Sequence, residues 1–559
     1  MMQRKVLRKY DVYVLIIIFI CIGAVLRFYN SNWDLGHYFH PDERNIANAV
    51  VKIHFFDQLD PGFFAYGGFS IYLYRFLGDV LVFVSKQQSW INDWGYIDVI
   101  GRTCSAFFST ITILPVFFLT KKLFNNITAI FSALFITFGV TFIQTAHFSI
   151  TETIITLTAV LLCYVSVNLY EKPTIKWYLL SGLILGMAVA TKTTSLSLII
   201  FPLTAQLFAY YKKPLRICLQ ESYLFILQLL VSSVTFIVFS PYTFLDWKKF
   251  LESMQYESGV ATGSLPVVYT YQFNHTPAYL YQLVNFFFQL GPIALFIAPS
   301  ILFLLVQSVR TKNPRYIIFL LFPIVYFLYV GSWHTKFIRY MVPILPFFII
   351  SISYFLTTVL IKKQLLGKLL LVTASLSTIF WALAFFSIYM RPQTRIAASY
   401  WVYQHIQPGS TILGEQWDDA LPIPLKDHPS EIFNVVQLNI YDTDNQFKLN
   451  YYSQSLSTGD YIIINSRRLY GTLIYLTDQY PLTSNYYKLL FQGKLGYEKA
   501  AEFTSYPSLF NIAINDDISE ETFQVYDHPK VMIFKNIKHY SSDILKNILS
   551  DAAKNIKDM

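Results

Sequence analysis

Five apolar runs, Val12–Leu26, Ile127–Ala146, Leu283–Val306, Met341–Leu360 and Leu369–Met390, are each about long enough to cross a bilayer. They constrain the fold more than any other feature, because a chain that crosses lipid many times must do so as helices or as a closed barrel. Of its 559 residues 54% are hydrophobic and 14% charged, against about 25% charged in a soluble domain. The expectation is a polytopic α-helical membrane protein. The first run does not read as a cleavable signal peptide, since no small-x-small site follows it and charged residues come directly after.

A net charge of +9 would suit a nucleic-acid partner, but the basic residues fall in short clusters between apolar spans. That is the pattern of membrane topology, and it argues against nucleic acid. The four cysteines, Cys21, Cys104, Cys163 and Cys218, lie in or beside the membrane region without CxxC or metal spacing, so they read as packing residues.

Arg4, Lys5, Arg8 and Lys9 place the N-terminus in the cytoplasm. The later clusters are Lys121-Lys122, Lys172 with Lys176, Lys212-Lys213 with Arg216, Arg310 with Lys312 and Arg315, and Lys362-Lys363 with Lys368. All of them fall inside if the segment Tyr66–Ser85 lies in the interface, and all fall outside if it spans. Arg75 and Asp79, one turn apart, favour the interface. The first outer loop then covers 28–102 with interfacial helices, in a transmembrane module of 1–390. About eleven spans are expected: 12–26, 103–119, 127–146, 153–169, 177–190, 196–211, 223–239, 283–306, 316–330, 341–360 and 369–390. An odd number puts the region 391–559 outside the plasma membrane.

That outer region is richer in Asp, Asn, Gln and Tyr. Short β-like runs at Thr411–Gly414, Tyr461–Asn465 and Val531–Lys535 alternate with helix candidates at Arg395–Ile406 and Ser484–Gly493, and Pro408-Gly409 marks a turn. A mixed α/β domain is expected there, and Lys538–Met559 reads as a polar helix or frayed end.

The same topology collects the reactive residues on the outer face: His40-Pro41-Asp42-Glu43, His147 with Glu152, Lys192, the loop Pro241–Gln282, and Trp333 to Tyr340. Lys192 lies in the turn Ala190-Thr191-Lys192 between two short spans, 177–190 and 196–211, and should sit below the membrane surface, where a lysine needs an anion or a water-filled cavity. Carboxylates beside cations at a membrane face suit group transfer from a lipid phosphate. The departing phosphate needs cations, for which Lys192, Lys336 and Arg339 are candidates, and the acceptor hydroxyl needs a base, for which Asp42 or Glu43 is available. His40, His147 and His334, with Asp42 and Glu152, have the residue types of a divalent-metal site, although no short ligand spacing supports one. The plainer alternatives are helix capping for Asp42 and Glu43 and snorkelling at span ends for Lys192 and Arg339.

In that outer-loop Asp-Glu pair the chain resembles the GT-C fold glycosyltransferases, in particular the protein O-mannosyltransferase and aminoarabinose transferase branch. Further similar stretches are Arg102 to Ala106 running into Lys121-Lys122-Leu123-Phe124, His147 to Glu152, Gly182 to Lys192, Lys336 to Pro346, and Trp417 to Pro422. The resemblance implies a polyprenyl-phosphate sugar donor, action on the outer face and inversion at the anomeric carbon. Carried over by position, Asp42 is the catalytic base, Glu152 the second acidic residue (where the family usually has Asp), and Lys192 and Arg339 contact the donor phosphate. The acceptor stays open between protein, lipid and glycan, with membrane lipids as surroundings. The rival functions are a ligase or polymerase of lipid-linked glycans, a transporter, and a non-catalytic scaffold. The transporter lacks a midplane site of broken helices, and the scaffold has no use for Lys192 or the carboxylates.

Overall fold

A computed structural model describes residues 9–211, 213–360, 364–428 and 432–552. Arg4, Lys5, Arg8, Lys212, Lys362, Lys363 and the segment 553–559 lie outside the described residues. The chain divides into two compact units, Met1–Leu265 with Thr276–Phe386, and Pro266–His275 with Ser387–Met559.

Nine helices among the described residues are long and apolar enough to cross a membrane, or ten if a bent pair counts as one span. The protein is a multi-pass membrane protein. In chain order, the helices used below are α1 (Lys9–Phe28), α2 (Pro41–Lys52), α3 (Gly68–Ser85), α4 (Trp94–Ile111), α5 (Glu152–Glu171), α6 (Ile175–Thr191) and α7 (Trp247–Thr262). Each of the eleven expected spans has helix at its centre, but two of them, Ile175–Thr191 and Pro314–Val330, are apolar helices shorter than the nine. The one expected at 283–306 has a 3₁₀ stretch, Gly291–Phe296, at its middle. Helix α4 starts at Trp94 rather than 103, because Asp93 caps it by accepting the Gly95 N–H at 2.8 Å. Its first turns carry Gly95, Asp98 and Arg102, so the apolar pattern begins later than the helix does. The span expected at 127–146 is two helices, Asn126–Thr137 and Val140–His147, meeting at 54°. Helix α3 is a continuous 18 residues, long and apolar enough to be a span by those criteria, and its Arg75 Nε reaches Asp79 at 3.1 Å as the spacing suggested.

The bend at 138–139 frees backbone carbonyls, and a neighbouring helix supplies their donors. Arg27, at the end of α1 and fully buried, donates to the carbonyls of Ile136 at 2.8 Å and Thr137 at 3.1 Å. Its Nε donates to Ser109 Oγ at 2.9 Å. Each nitrogen of that guanidinium thus donates to an acceptor held by rigid structure, which is what a buried cation requires.

Helix α2 positions the His40-Pro41-Asp42-Glu43 motif. Pro41 stands at its first turn, where the missing N–H costs nothing. The cap is His40, not Asp42 or Glu43: its Nδ1 accepts the Asp42 N–H at 3.2 Å, and its ring packs 4.8 Å from Phe148. Both carboxylates are therefore free of capping duty and sit where the helix dipole favours negative charge.

The second unit is an α/β domain. Its sheet comprises β1 (Thr411–Glu415), β2 (Asn434–Leu438), β3 (Tyr461–Ile464), β4 (Tyr497–Phe503) and β5 (Val531–Asn536), in the order β2-β1-β3-β5-β4. Strand β1 runs parallel to β2 and β3, while β5 is antiparallel to β3 and β4. The three strands expected from sequence are the central ones, whose residues are buried almost throughout. The two unexpected strands are edges, open to solvent over most of their length, and their composition carries little β signal. The expected helices appear as Thr394–His405 and Pro481–Phe491, and the turn at Gly409 has φ +86°, which glycine adopts without strain. A helix at Ser542–Ala552 occupies the last described stretch. Leu413, Ile462 and Ile464 pack against Tyr452, Tyr486 and Tyr487 on one sheet face. Elsewhere in the domain, His528 is fully buried between Asp516, 2.7 Å from its Nε2, and Asp527 on its Nδ1 side.

Candidate active site

Asp42, in the first turn of α2, lies 2.5 Å from Arg339 Nη1. Arg339 belongs to the 3₁₀ turn Ile338–Ile344, and both side chains are about one-sixth exposed. A second ion pair lies close by: Glu152, the first residue of α5, receives Lys192 Nζ at 3.1 Å. Lys192 directly follows α6, and Glu152 is buried.

Two tyrosines join the pairs. Lys192 Nζ stands 5.1 Å from the Tyr66 ring and 5.7 Å from the Tyr340 ring, while the Arg339 guanidinium is 6.0 Å from Tyr340. Burial pushes the Tyr66 phenol well above its ordinary range, with Asp42 and Glu152 adding to it against Arg339. Tyr66 is therefore a neutral hydroxyl set among four charges. Its position is fixed by backbone: the Gly67 N–H donates to Thr191 O at 2.9 Å, and a Cβ at Gly67 would fall 2.0 Å from Ala190 O. Only glycine lets the two turns approach so closely.

Helix α7 closes another side. Thr193 Oγ1 donates to Met254 Sδ at 3.2 Å, and the Thr335 N–H donates to Ala261 O at 3.2 Å. Glu257 lies between those anchors, and partial burial raises its carboxyl, with Asp42 adding to the shift and Lys192 and Arg339 opposing it.

Glu43 faces elsewhere. Arg102 grips it with Nε at 2.9 Å and Nη2 at 2.6 Å, and grips Asp34 with Nη1 at 2.8 Å and Nη2 at 2.7 Å. The Ser149 N–H also donates to Glu43 at 2.5 Å, and Trp33 packs 4.8 Å from the guanidinium. Burial pushes the Asp34 carboxyl up, but Arg102 outweighs it and holds the group below the usual range. At Glu43 burial prevails over Arg102 and the carboxyl is raised. This cluster ties the loop before α2, and α2 itself, to α4 and to the 147–152 segment.

Of the residues expected from sequence, Asp42, Glu152, Lys192 and Arg339 come together. Lys336 is buried and donates Nζ to His334 O at 2.8 Å. The His147 ring nitrogens face Ile143 O at 2.8 Å and Tyr29 O at 2.9 Å. His334 packs over Gly263, where a Cβ would fall 2.7 Å from the ring. Among the described residues no group of three His, Cys, Asp or Glu is placed to hold a metal ion, so the expected ligand types do not converge. Reading the sequence did not find Tyr66, Glu257, Asp34 or the role of Arg102. The periodicity of α7 was the available signal for Glu257, since residues 254, 257 and 261 share a helix face.

Residues 97–244 match the profile of a family described as dolichyl-phosphate-mannose-protein mannosyltransferase. No curated protein matches the chain. Among solved structures, the Archaeoglobus fulgidus oligosaccharyltransferase tethered to an acceptor peptide is similar at 12% identity and TM-score 0.49, over 95% of this chain and 89% of that one. ArnT from Cupriavidus metallidurans bound to undecaprenyl phosphate is similar at 13% identity and TM-score 0.46, over 93% of this chain and 98% of that one. The S. cerevisiae Pmt1-Pmt2 complex with its sugar donor is similar over 43% of this chain and 34% of that one, at 14% identity and TM-score 0.33. A multi-pass membrane fold and a profile match that takes in Glu152 and Lys192 mark this chain as similar to the GT-C glycosyltransferases, which draw on lipid-linked donors.

Proposed function

We propose that the chain transfers a sugar, with inversion, from a polyprenyl-phosphate donor to an acceptor hydroxyl on the outer face of the membrane. The observation that carries this reading is the meeting of the Asp42–Arg339 and Glu152–Lys192 pairs around Tyr66 and Tyr340. A carboxylate base and two cations in one place are what such a displacement needs.

The acceptor oxygen attacks the anomeric carbon and its proton passes to Asp42. The bond from that carbon to the phosphate oxygen breaks, and its electron pair leaves on the phosphate. Lys192 and Arg339 take up the developing charge, with the arginine fork suited to two phosphate oxygens. Before the donor arrives, Arg339 is committed to Asp42. A phosphate competing for that guanidinium frees Asp42 to act as base, so donor binding switches on the general base. Glu152 orients Lys192, and Tyr66 has its hydroxyl among the reacting groups. The proposed orientation places the N-terminus in the cytoplasm, the 28–102 loop and the 391–559 domain outside, and the protein in the plasma membrane.

The test is transfer by the purified full chain in nanodiscs, supplied with radiolabelled polyprenyl-phosphate sugars and the source membranes as acceptor. Label should enter the acceptor with release of polyprenyl phosphate, and Asp42→Asn should stop it. Transfer at the wild-type rate by Asp42→Asn removes the base assignment. Label accumulating inside vesicles without covalent transfer makes the protein a transporter.

A further inference from the structure

Among the described residues, Glu257 is the carboxylate of this site that no ion pair uses. It lies on the face of α7 that carries Met254 and Ala261, three residues before it and four after, and both of those anchor to the loops bearing Lys192 and Lys336. Helical spacing thus turns Glu257 toward the paired charges, while its side chain stays open to solvent. The charges it feels are those of Lys192, Asp42 and Arg339. Asp42 and Glu152 are each held by one of those cations. The site therefore carries three carboxylates against two cations. A donor phosphodiester bound by Lys192 and Arg339 brings one more negative charge, and of the cations Glu257 feels, none is left for a second anion.

We infer that Glu257 holds the acceptor, and that the acceptor is an uncharged hydroxyl compound, such as a sugar or a Ser/Thr side chain, rather than a phosphate or carboxylate. The inference rests on the glycosyl-transfer reading above and specifies its acceptor. The Glu257 carboxylate accepts a hydrogen bond from a second donor of the acceptor, a neighbouring sugar hydroxyl or a peptide N–H, and so aims the attacking oxygen at the anomeric carbon while leaving its proton for Asp42. Asp42 takes the proton, and the phosphate leaves as already described. An anionic acceptor would enter a site whose net charge is already of its own sign.

Glu257→Gln and Glu257→Asp are compared with wild type as full chains in nanodiscs. The probes are undecaprenyl phosphate for binding and undecaprenyl-phosphate hexoses and aminopentose for transfer into source membranes. Expected for Glu257→Gln is undecaprenyl phosphate binding within threefold of wild type or tighter, donor KM unchanged, and kcat lowered at least tenfold, with part of the loss recovered in Glu257→Asp. The transferred label should withstand mild acid as a glycoside does, since glycosyl phosphates and esters are cleaved far more readily. An unchanged kcat in Glu257→Gln, a tenfold loss of undecaprenyl phosphate binding, or acid-labile product overturns the inference. If wild type transfers sugar and Glu257→Gln matches it, the glycosyl-transfer reading stands and only this inference falls. If wild type transfers from none of these donors, both fall.

Discussion

Asp42 and Glu43 are neighbours in the chain yet serve different partners: one meets Arg339 at 2.5 Å, the other meets Arg102 at 2.6 Å. Successive residues of an α-helix point about 100° apart, so a single turn of α2 delivers one carboxylate to the site and the other to a buried clamp. The pair reads as a unit in sequence but divides between chemistry and architecture.

Asp42→Asn keeps the size of the side chain and removes its basicity. Transfer should fall by about two to four orders of magnitude, the usual contribution of a general base. Expression, chromatographic behaviour in detergent and thermal stability should stay near wild type. The checks are initial rates with labelled donor beside a thermal melt.

Arg102→Ala leaves Glu43 and Asp34 as buried carboxylates without their cation. Breaking one side of a buried ionic cluster costs about 3–5 kcal/mol. The variant should therefore melt well below wild type or fail to accumulate, and Arg102→Lys should recover only part, since one ammonium cannot span two carboxylates as the planar fork does. A melting comparison of the three proteins separates this architectural loss from the catalytic loss at Asp42.

Gly67→Ala places a methyl group against Ala190 O and must push apart the turns bearing Tyr66 and Lys192. A displacement of about 1 Å at reacting groups costs about a hundredfold in rate. Transfer should drop on that scale while the protein still folds. A rate within threefold of wild type would show that the Tyr66 turn does not shape the reacting geometry.

The sequence made part of this legible. The Pro41 helix start, the central strands and the four residues that converge carry local or positional signals. Arg339 lies far along the chain from Asp42, and no spacing rule pairs them; only the folded bundle does. Glu257 stayed hidden in a long polar loop, where a carboxylate on an amphipathic helix looks like an ordinary solvated residue. Strands β2 and β4 were missed because an edge strand has no buried face to impose alternation.

The α/β domain should lose stability as pH rises. At His528 burial works against the proton, but Asp527 and Asp516 outweigh it and lift the group to about 10, from an ordinary 6.5. Burial lifts Glu415 to about 8 and Glu521 to about 7, both from 4.5. All three hold protons in the folded domain that the unfolded chain has given up. The His528 contribution is thus full below pH 6.5 and lost as pH climbs through about 10, and the carboxyl contributions fade from pH 4.5 through 7 to 8. Hydrogen exchange of β5 should quicken from pH 5 to 9 after correction for intrinsic rates, and His528→Gln should flatten the alkaline part of that dependence.

Topology is checked by labelling single cysteines in a cysteine-free background. Gln87→Cys, just past α3, should react with an impermeant reagent from outside, and Lys312→Cys only after permeabilisation. Reaction of Gln87→Cys from inside would make α3 a span and reverse the sidedness of everything after it.

The bond between Arg27 and the carbonyls at the 138–139 bend has an evolutionary corollary. A descendant that straightened the bend would strand a guanidinium among greasy neighbours, and one that lost the arginine would leave peptide oxygens thirsty inside the bundle. Either change alone is penalised, so the two features should be inherited or discarded as a pair.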